Sequence, residues 1–309
     1  DTAGRRVLPA GSRPLRRIRR LIQNPDCESG FFFEMNWTLK NKEQYQRNIK
    51  LAGPVMIGSL GHIMVGVADS IMVGKMLGPI PLAAVSLANS IFHIPLVFAV
   101  GIAFGLTPLI ANADGEGNIG KISRLWKNGL VINMTFGVLV MLLLLASGPL
   151  FGLLKQDPKV VEYALPYFFL ITTGIVPMMM FLNLKQFAEG LSDTATATRV
   201  SLIANFVNIL LNYVLIKGVW IFPELGLLGA GYATVISRWL MYIGLYAYIK
   251  NKEKFKKYWE ARKNETFTWE TIKDILNIGL PTGLQYIFEI GAFAISAVMA
   301  GSIGAFPQA

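Results

Sequence analysis

The sequence predicts an all-α polytopic membrane protein, and three observations carry that prediction. Hydrophobic residues make up 53% of the 309-residue chain and charged residues only 16%, a balance that excludes a disordered chain and departs from ordinary soluble domains. Seven apolar stretches, each of roughly bilayer-crossing length, follow one another. The stretches are apolar all round and not on one stripe, which argues against a soluble helical solenoid.

The elements follow in order. Residues 1–34 include RRVLPAGSRPLRRIRR, a basic, proline-broken extension without the apolar core of a signal peptide. Met35 is the expected native start, and 35–50 is a polar lead-in; the competing reading makes the extension a basic arm on anionic lipid headgroups. Span 1 is LAGPVMIGSLGHIMVGVADSIMVGKMLGP, Leu51 to Pro79. Span 2 runs from about Leu82 to Asn112, with Pro95 and Pro108 expected to mark bends. The loop with Lys121, Arg124 and Lys127 leads to span 3, which ends near Leu154. After the KQDPK turn, span 4 covers about Val160 to Leu184 and holds Pro166 and Pro177. KQFAEGLSDTATATR leads to span 5, about Thr198 to Lys217, and WIFPELGLLGAG to span 6, about Gly229 to Ile249. Residues 250–274 contain the most basic loop, KNKEKFKKYWEARKNE, and span 7 begins near Ile275. Residues 51–249 then form a six-helix bundle, and 275–309 begin a second one.

The chain carries 29 Lys and Arg against 19 Asp and Glu. In a soluble protein that excess would raise nucleic acid as a partner. Here the basic residues sit in the lead-in and in the 2–3, 4–5 and 6–7 loops, so they orient the chain with its N-terminus in the cytoplasm. The partners expected are membrane lipids and not nucleic acid. One cysteine, Cys27, excludes an internal disulfide framework. No phosphate loop, nucleophile triad or metal-ligand spacing occurs, so no cofactor and no enzymatic activity are expected.

Asp69 is the one acid inside span 1. A carboxylate at membrane depth costs about 2.5–3.5 kcal/mol on insertion scales, so its default reading is functional. Ser201, Asn205, Asn208 and Asn212 step along span 5 by four, three and four, which puts them on one face. Such a stripe must face protein or water, either as interhelical glue or as the wall of a ligand cavity, the reading preferred here. Gln285 and Glu289 share a face of span 7. Gly66, Ser70 and Gly74 form a row suited to close helix packing. Span 7 repeats span 1: Pro54 and Pro281 each open an apolar helix, and IMVG (71–74) matches VMAG (298–301) at the same offset. That register implies a parallel repeat with substrate between the halves, and aligns His62 with Glu289, both expected to look into the cavity. Asp69, Glu289 and the asparagine wall together suggest cation-coupled transport, by sodium on hard oxygen ligands or by a proton on a carboxylate.

Four motifs in order resemble the multidrug and toxic compound extrusion (MATE) transporters. Span 1 looks like that family's first helix, with Asp69 in the place of its aspartate. KQFAEGLSDT resembles its 4–5 loop. NILLNY sets Asn208 and Asn212 on its asparagine pair, and GLPTGLQYIFEIGAF resembles the start of helix 7 in the bacterial multidrug–sodium antiporter subgroup, with Glu289 on its cation-site glutamate. The resemblance implies twelve helices in two six-helix bundles around a V-shaped cavity, with organic cations or drugs exported against sodium or protons. It implies a monomer, when complete, in the bacterial inner membrane. This chain stops after span 7, so it is expected to be a C-terminally incomplete antiporter that lacks the family's helix 10 carboxylate. Two alternatives remain: a lipid-linked oligosaccharide flippase of the same superfamily, which would call for more arginine inside the helices, and a seven-helix receptor.

Overall fold

The computed structural model describes residues 42–153, 156–219 and 221–303, and the described side chains of its last helix end at Glu289. Readings placed on residues 1–41, including the basic extension and the Met35 start, lie outside the described residues. The chain divides into two compact units at Lys50 and Leu51. Of the first unit, only helical residues 42–50 are described.

All seven predicted spans are helical. In chain order the helices are α1 (Lys42–Leu77), α2 (Pro79–Phe104), α3 (Leu106–Gly115), α4 (Ile119–Ala146), α5 (Leu150–Leu153), α6 (Pro158–Thr173), α7 (Ile175–Gly190), α8 (Thr194–Lys217), α9 (Leu227–Asn251), α10 (Glu253–Asn264) and α11 (Trp269–Ile303). Among the described residues, five continuous or once-broken runs are long and apolar enough to cross a membrane: 48–77, 79–115, 119–146, 158–190 and 194–217; spans 6 and 7 are helical but not among them. No strand occurs among the described residues.

Spans 2 and 4 are each broken once, at Gly105 and Gly174. The cause is the proline three residues on. Pro108 has no N–H to give the carbonyl of Phe104, nor Pro177 that of Thr173, and those are the last residues of α2 and α6. Pro95, also expected to mark a bend, and Pro166 lie inside unbroken helices. Loop residues serve as caps. The side chains of Asn118, Asp157 and Asp193 accept from the backbone N–H of Lys121, Lys159 and Thr196 and so start α4, α6 and α8. Gly218 ends α8 at φ 65°, where a Cβ would also lie 2.5 Å from the Glu224 nitrogen; only glycine fits.

The segment 250–274 holds a helix, α10, that the sequence reading left as loop. Phe255 and Tyr258 are its buried anchors. Phe255, Tyr258 and Trp259 stand at i, i+3 and i+4, a helical spacing set among eight polar residues, so the signal was present but masked by the run of charges.

Buried side chains form two clusters along the bundle. One gathers Val73, Phe92, Leu144, Phe168 and Leu227. The other gathers Ile110, Trp126, Phe187, Ile249 and Phe255 at the end carrying the basic segments. α11 packs backbone to backbone on α2: Gly101 meets Gly283, and a Cβ on Gly105 would lie 2.7 Å from the Gly279 nitrogen. On α1 the close approaches are at Gly58 and Gly61, against Thr198 and Leu202 of α8, and at Gly74, against Leu82. Gly66 meets nothing within 4 Å, so the expected Gly66–Ser70–Gly74 packing row is only partly used.

Candidate functional site

Asp69 on α1 meets the asparagines of α8. Asn208 and Asn212 are one helical turn apart, so their amides stack along one edge. Asn212 Nδ2 donates to Asp69 Oδ1 at 2.5 Å and to Asn208 Oδ1 at 3.1 Å. Those two bonds use both of its N–H groups. Asn212 is fully buried and Asn208 is 3% exposed, while Asp69 is only partly buried. Asn212 Oδ1 is buried and has no hydrogen-bond partner. The cluster therefore holds more acceptors than donors. A proton on the carboxylate, or a cation seated among the oxygens, would correct that imbalance.

Thr198, lower on the same helix, donates to the Pro54 carbonyl at 2.9 Å and to the Thr194 carbonyl at 3.0 Å. This bond and the glycine contacts at Gly58 and Gly61 hold α1 against α8, and with it Asp69 against Asn212. Asn205 Nδ2 lies 3.7 Å from where a Gly61 Cβ would stand, so it also faces α1. Ser201 is half-buried on α8.

His62 lies two turns before Asp69 on an exposed part of α1, and Gln285 and Glu289 are exposed on α11. Among the described residues, no hydrogen bond joins any of these three to the Asp69 cluster. The structure thus brings together Asp69, Asn208 and Asn212, sets Asn205 and Ser201 along the same helix, and leaves His62, Gln285 and Glu289 at open surfaces.

The sequence reading missed Arg238, in the middle of α9. Its guanidinium donates to the Ile171 carbonyl at 3.2 Å and stacks 5.3 Å over the Phe92 ring. Gly174, at the break between α6 and α7, gives it room: a Cβ there would stand 2.9 Å from an Arg238 nitrogen. Arg238 lies within Coulombic reach of Asp69, Tyr167 and His62. Little arginine was expected inside the helices, and Arg238 is one such residue, held against Ile171 and Phe92. The signal was available, since a charge midway along an apolar helix is itself a functional pointer. A buried amide group was missed as well: Asn133, Asn183 and Gln186 are at most 2% exposed, and the Thr107 hydroxyl donates to Gln186 Oε1. Among the described residues no cluster of three His, Cys, Asp or Glu is arranged to hold a metal.

Fold and site define a multi-pass helical membrane protein with a carboxylate–amide cluster inside its bundle. The MatE family profile matches residues 54–214, more than half of the chain. The chain belongs to the MatE family. It is 29% identical over 270 residues to the "Probable multidrug resistance protein NorM" of Idiomarina loihiensis, covering 87% of this chain and 58% of that protein. It is also 29% identical over 257 residues to the multidrug resistance protein MdtK of Edwardsiella ictaluri, covering 83% and 56%. Among solved structures, an outward-facing multidrug resistance MATE transporter of the MOP superfamily aligns with TM-score 0.73 and 25% identity, over 82% of this chain and 55% of that one. The chain thus spans a little over half the length of these relatives. Its relatives are transporters and not enzymes, and they favour neither the receptor nor the flippase reading.

Proposed function

We propose that this chain supplies the first six-helix bundle, and the first helix of the second, of a secondary antiporter that exports organic cations in exchange for sodium or protons. The observation that carries the reading is the Asp69–Asn212–Asn208 cluster with its buried, unpartnered Asn212 Oδ1. A lone carboxylate offers one negative charge. An organic cation and a coupling ion then compete for it, and whichever binds favours the bundle arrangement that releases the other. Arg238 sharpens the competition by disfavouring any second cation nearby. Asn205, Ser201 and His62 line the approach to Asp69 on one side, and Gln285 with Glu289 supplies a second cation-binding face on α11. The N-terminus lies in the cytoplasm of a bacterial inner membrane, because the basic connections gather at one end.

The test uses everted membrane vesicles from cells expressing the complete reading frame that contains this chain. Asp69→Asn keeps the shape and an acceptor for Asn212 but removes the charge. Ethidium movement driven by a sodium or proton gradient is expected to fall to the level of vesicles without the protein. Ion-driven movement at the unsubstituted rate would refute the role of Asp69.

A further inference from the structure

At the basic end of the bundle, α4, α7, α9 and α10 line an open cavity of about 510 Å³. Its walls are aromatic, with Trp126, Trp259, Tyr242 and Tyr246, and its rim is basic, with Lys127, Arg262 and Lys263. Arg262 stacks 4.4 Å over the Trp126 ring and 5.7 Å from the Trp259 ring. A guanidinium stacked by its faces keeps its N–H edges free for an acceptor.

Nothing in the described chain fills that role. Neighbouring cations are answered: Lys121 pairs with Glu116, Arg124 with Glu265, and Lys127 donates to the Glu265 carbonyl at 2.6 Å. Among the described residues Arg262 and Lys263 have no carboxylate within 4 Å and no hydrogen-bond acceptor. Arg262 is also partly withdrawn from water, and burial holds its pKa below the usual arginine range while the two tyrosines act the other way. A partly desolvated cation with open donors suits an anion.

The cavity's composition narrows the anion. Planar N–H edges match a phosphate. A bare phosphate ion would touch only the rim and leave the indole and phenol walls uncovered. Such rings suit the glycerol and upper acyl region of a lipid, the level at which tryptophan and tyrosine collect in membrane proteins. Basic pockets between helices at a membrane face take anionic headgroups for the same reason. We infer that this cavity binds the phosphodiester headgroup of an anionic phospholipid, with Arg262 and Lys263 on the phosphate and Trp126, Trp259, Tyr242 and Tyr246 around the glycerol.

The experiment reads binding and not transport, so it stands or falls separately from the antiporter reading. The purified chain in neutral detergent is titrated with dioleoyl phosphatidylglycerol, with dioleoyl phosphatidylcholine, and with inorganic phosphate as a competitor, and bound lipid is counted by native mass spectrometry. Phosphatidylglycerol is expected to bind at least tenfold more tightly than phosphatidylcholine. Each lost charge should weaken it about fivefold, as for a basic residue at an anionic surface, in Lys263→Gln and in Arg262→Gln. Variants are scored only if they unfold at the unsubstituted temperature; should Arg262→Gln fail that control, Lys263→Gln decides, since it lies in no stack. Equal binding of the two lipids, or unchanged phosphatidylglycerol binding in the scored variants, overturns the proposal. Displacement of the lipid by inorganic phosphate at equal concentration would overturn the lipid assignment in favour of free phosphate.

Discussion

Asn212 shows how much one side chain does here. It spends both donors, one on Asp69 and one on Asn208, and keeps its oxygen buried and open. A hydrogen bond to a charged group contributes about 1.5–3 kcal/mol. Asn212→Ala should therefore weaken ion binding at Asp69 about tenfold or more, because both the donor and the spare oxygen are lost. Asn208→Ala should cost less, since Asn208 touches the carboxylate only through Asn212. The ion concentration for half-maximal change in tryptophan fluorescence checks both; equal effects would mean that Asn208 reaches the ion directly. The polar stripe of span 5 was legible because amides inside an apolar helix stand out. That Asn212 reaches Asp69 directly, Asn208 only through Asn212 and Ser201 not at all was hidden, because helix spacing sets a face and not a partner.

At the scale of elements, glycine rows decide which helices touch. The α2–α11 contact uses Gly101 and Gly105 against Gly279 and Gly283, and a Cβ on Gly283 would lie 2.8 Å from the Phe98 carbonyl oxygen. Gly283→Val should force the helices apart and cost about 1–3 kcal/mol, the usual range for overpacking. Gly66→Val, which faces open space, should cost little. Thermal unfolding of the two variants in the same detergent checks the contrast; similar losses would place the α2–α11 contact elsewhere. Both rows have the same spacing in the sequence, so the choice between them could not be read from it. The breaks at Gly105 and Gly174 were closer to legible. Pro108 and Pro177 were flagged, but the ladder fails four residues earlier, at the carbonyl the proline cannot serve.

At the largest scale, the described residues of the second unit hold two core clusters, and α10 packs into the one at the basic end. Orientation follows from charge: the end with α10 should face the cytoplasm. In a Cys27→Ser background, Ile221→Cys, at 90% exposure in the 5–6 turn, should react with a membrane-impermeant maleimide on intact cells. Lys257→Cys on α10 should react only after lysis. The reverse pattern would invert the topology.

By itself the sequence determined the class, the seven helical spans, the intramembrane acid and the amides most worth watching. These are properties of composition and period, and a bilayer punishes any departure from them. Tertiary structure alone decided which amide holds Asp69, which glycine row packs and where Arg238 turns inward. Each of those depends on the distance between residues far apart in the chain, and helical periodicity carries no information about that distance.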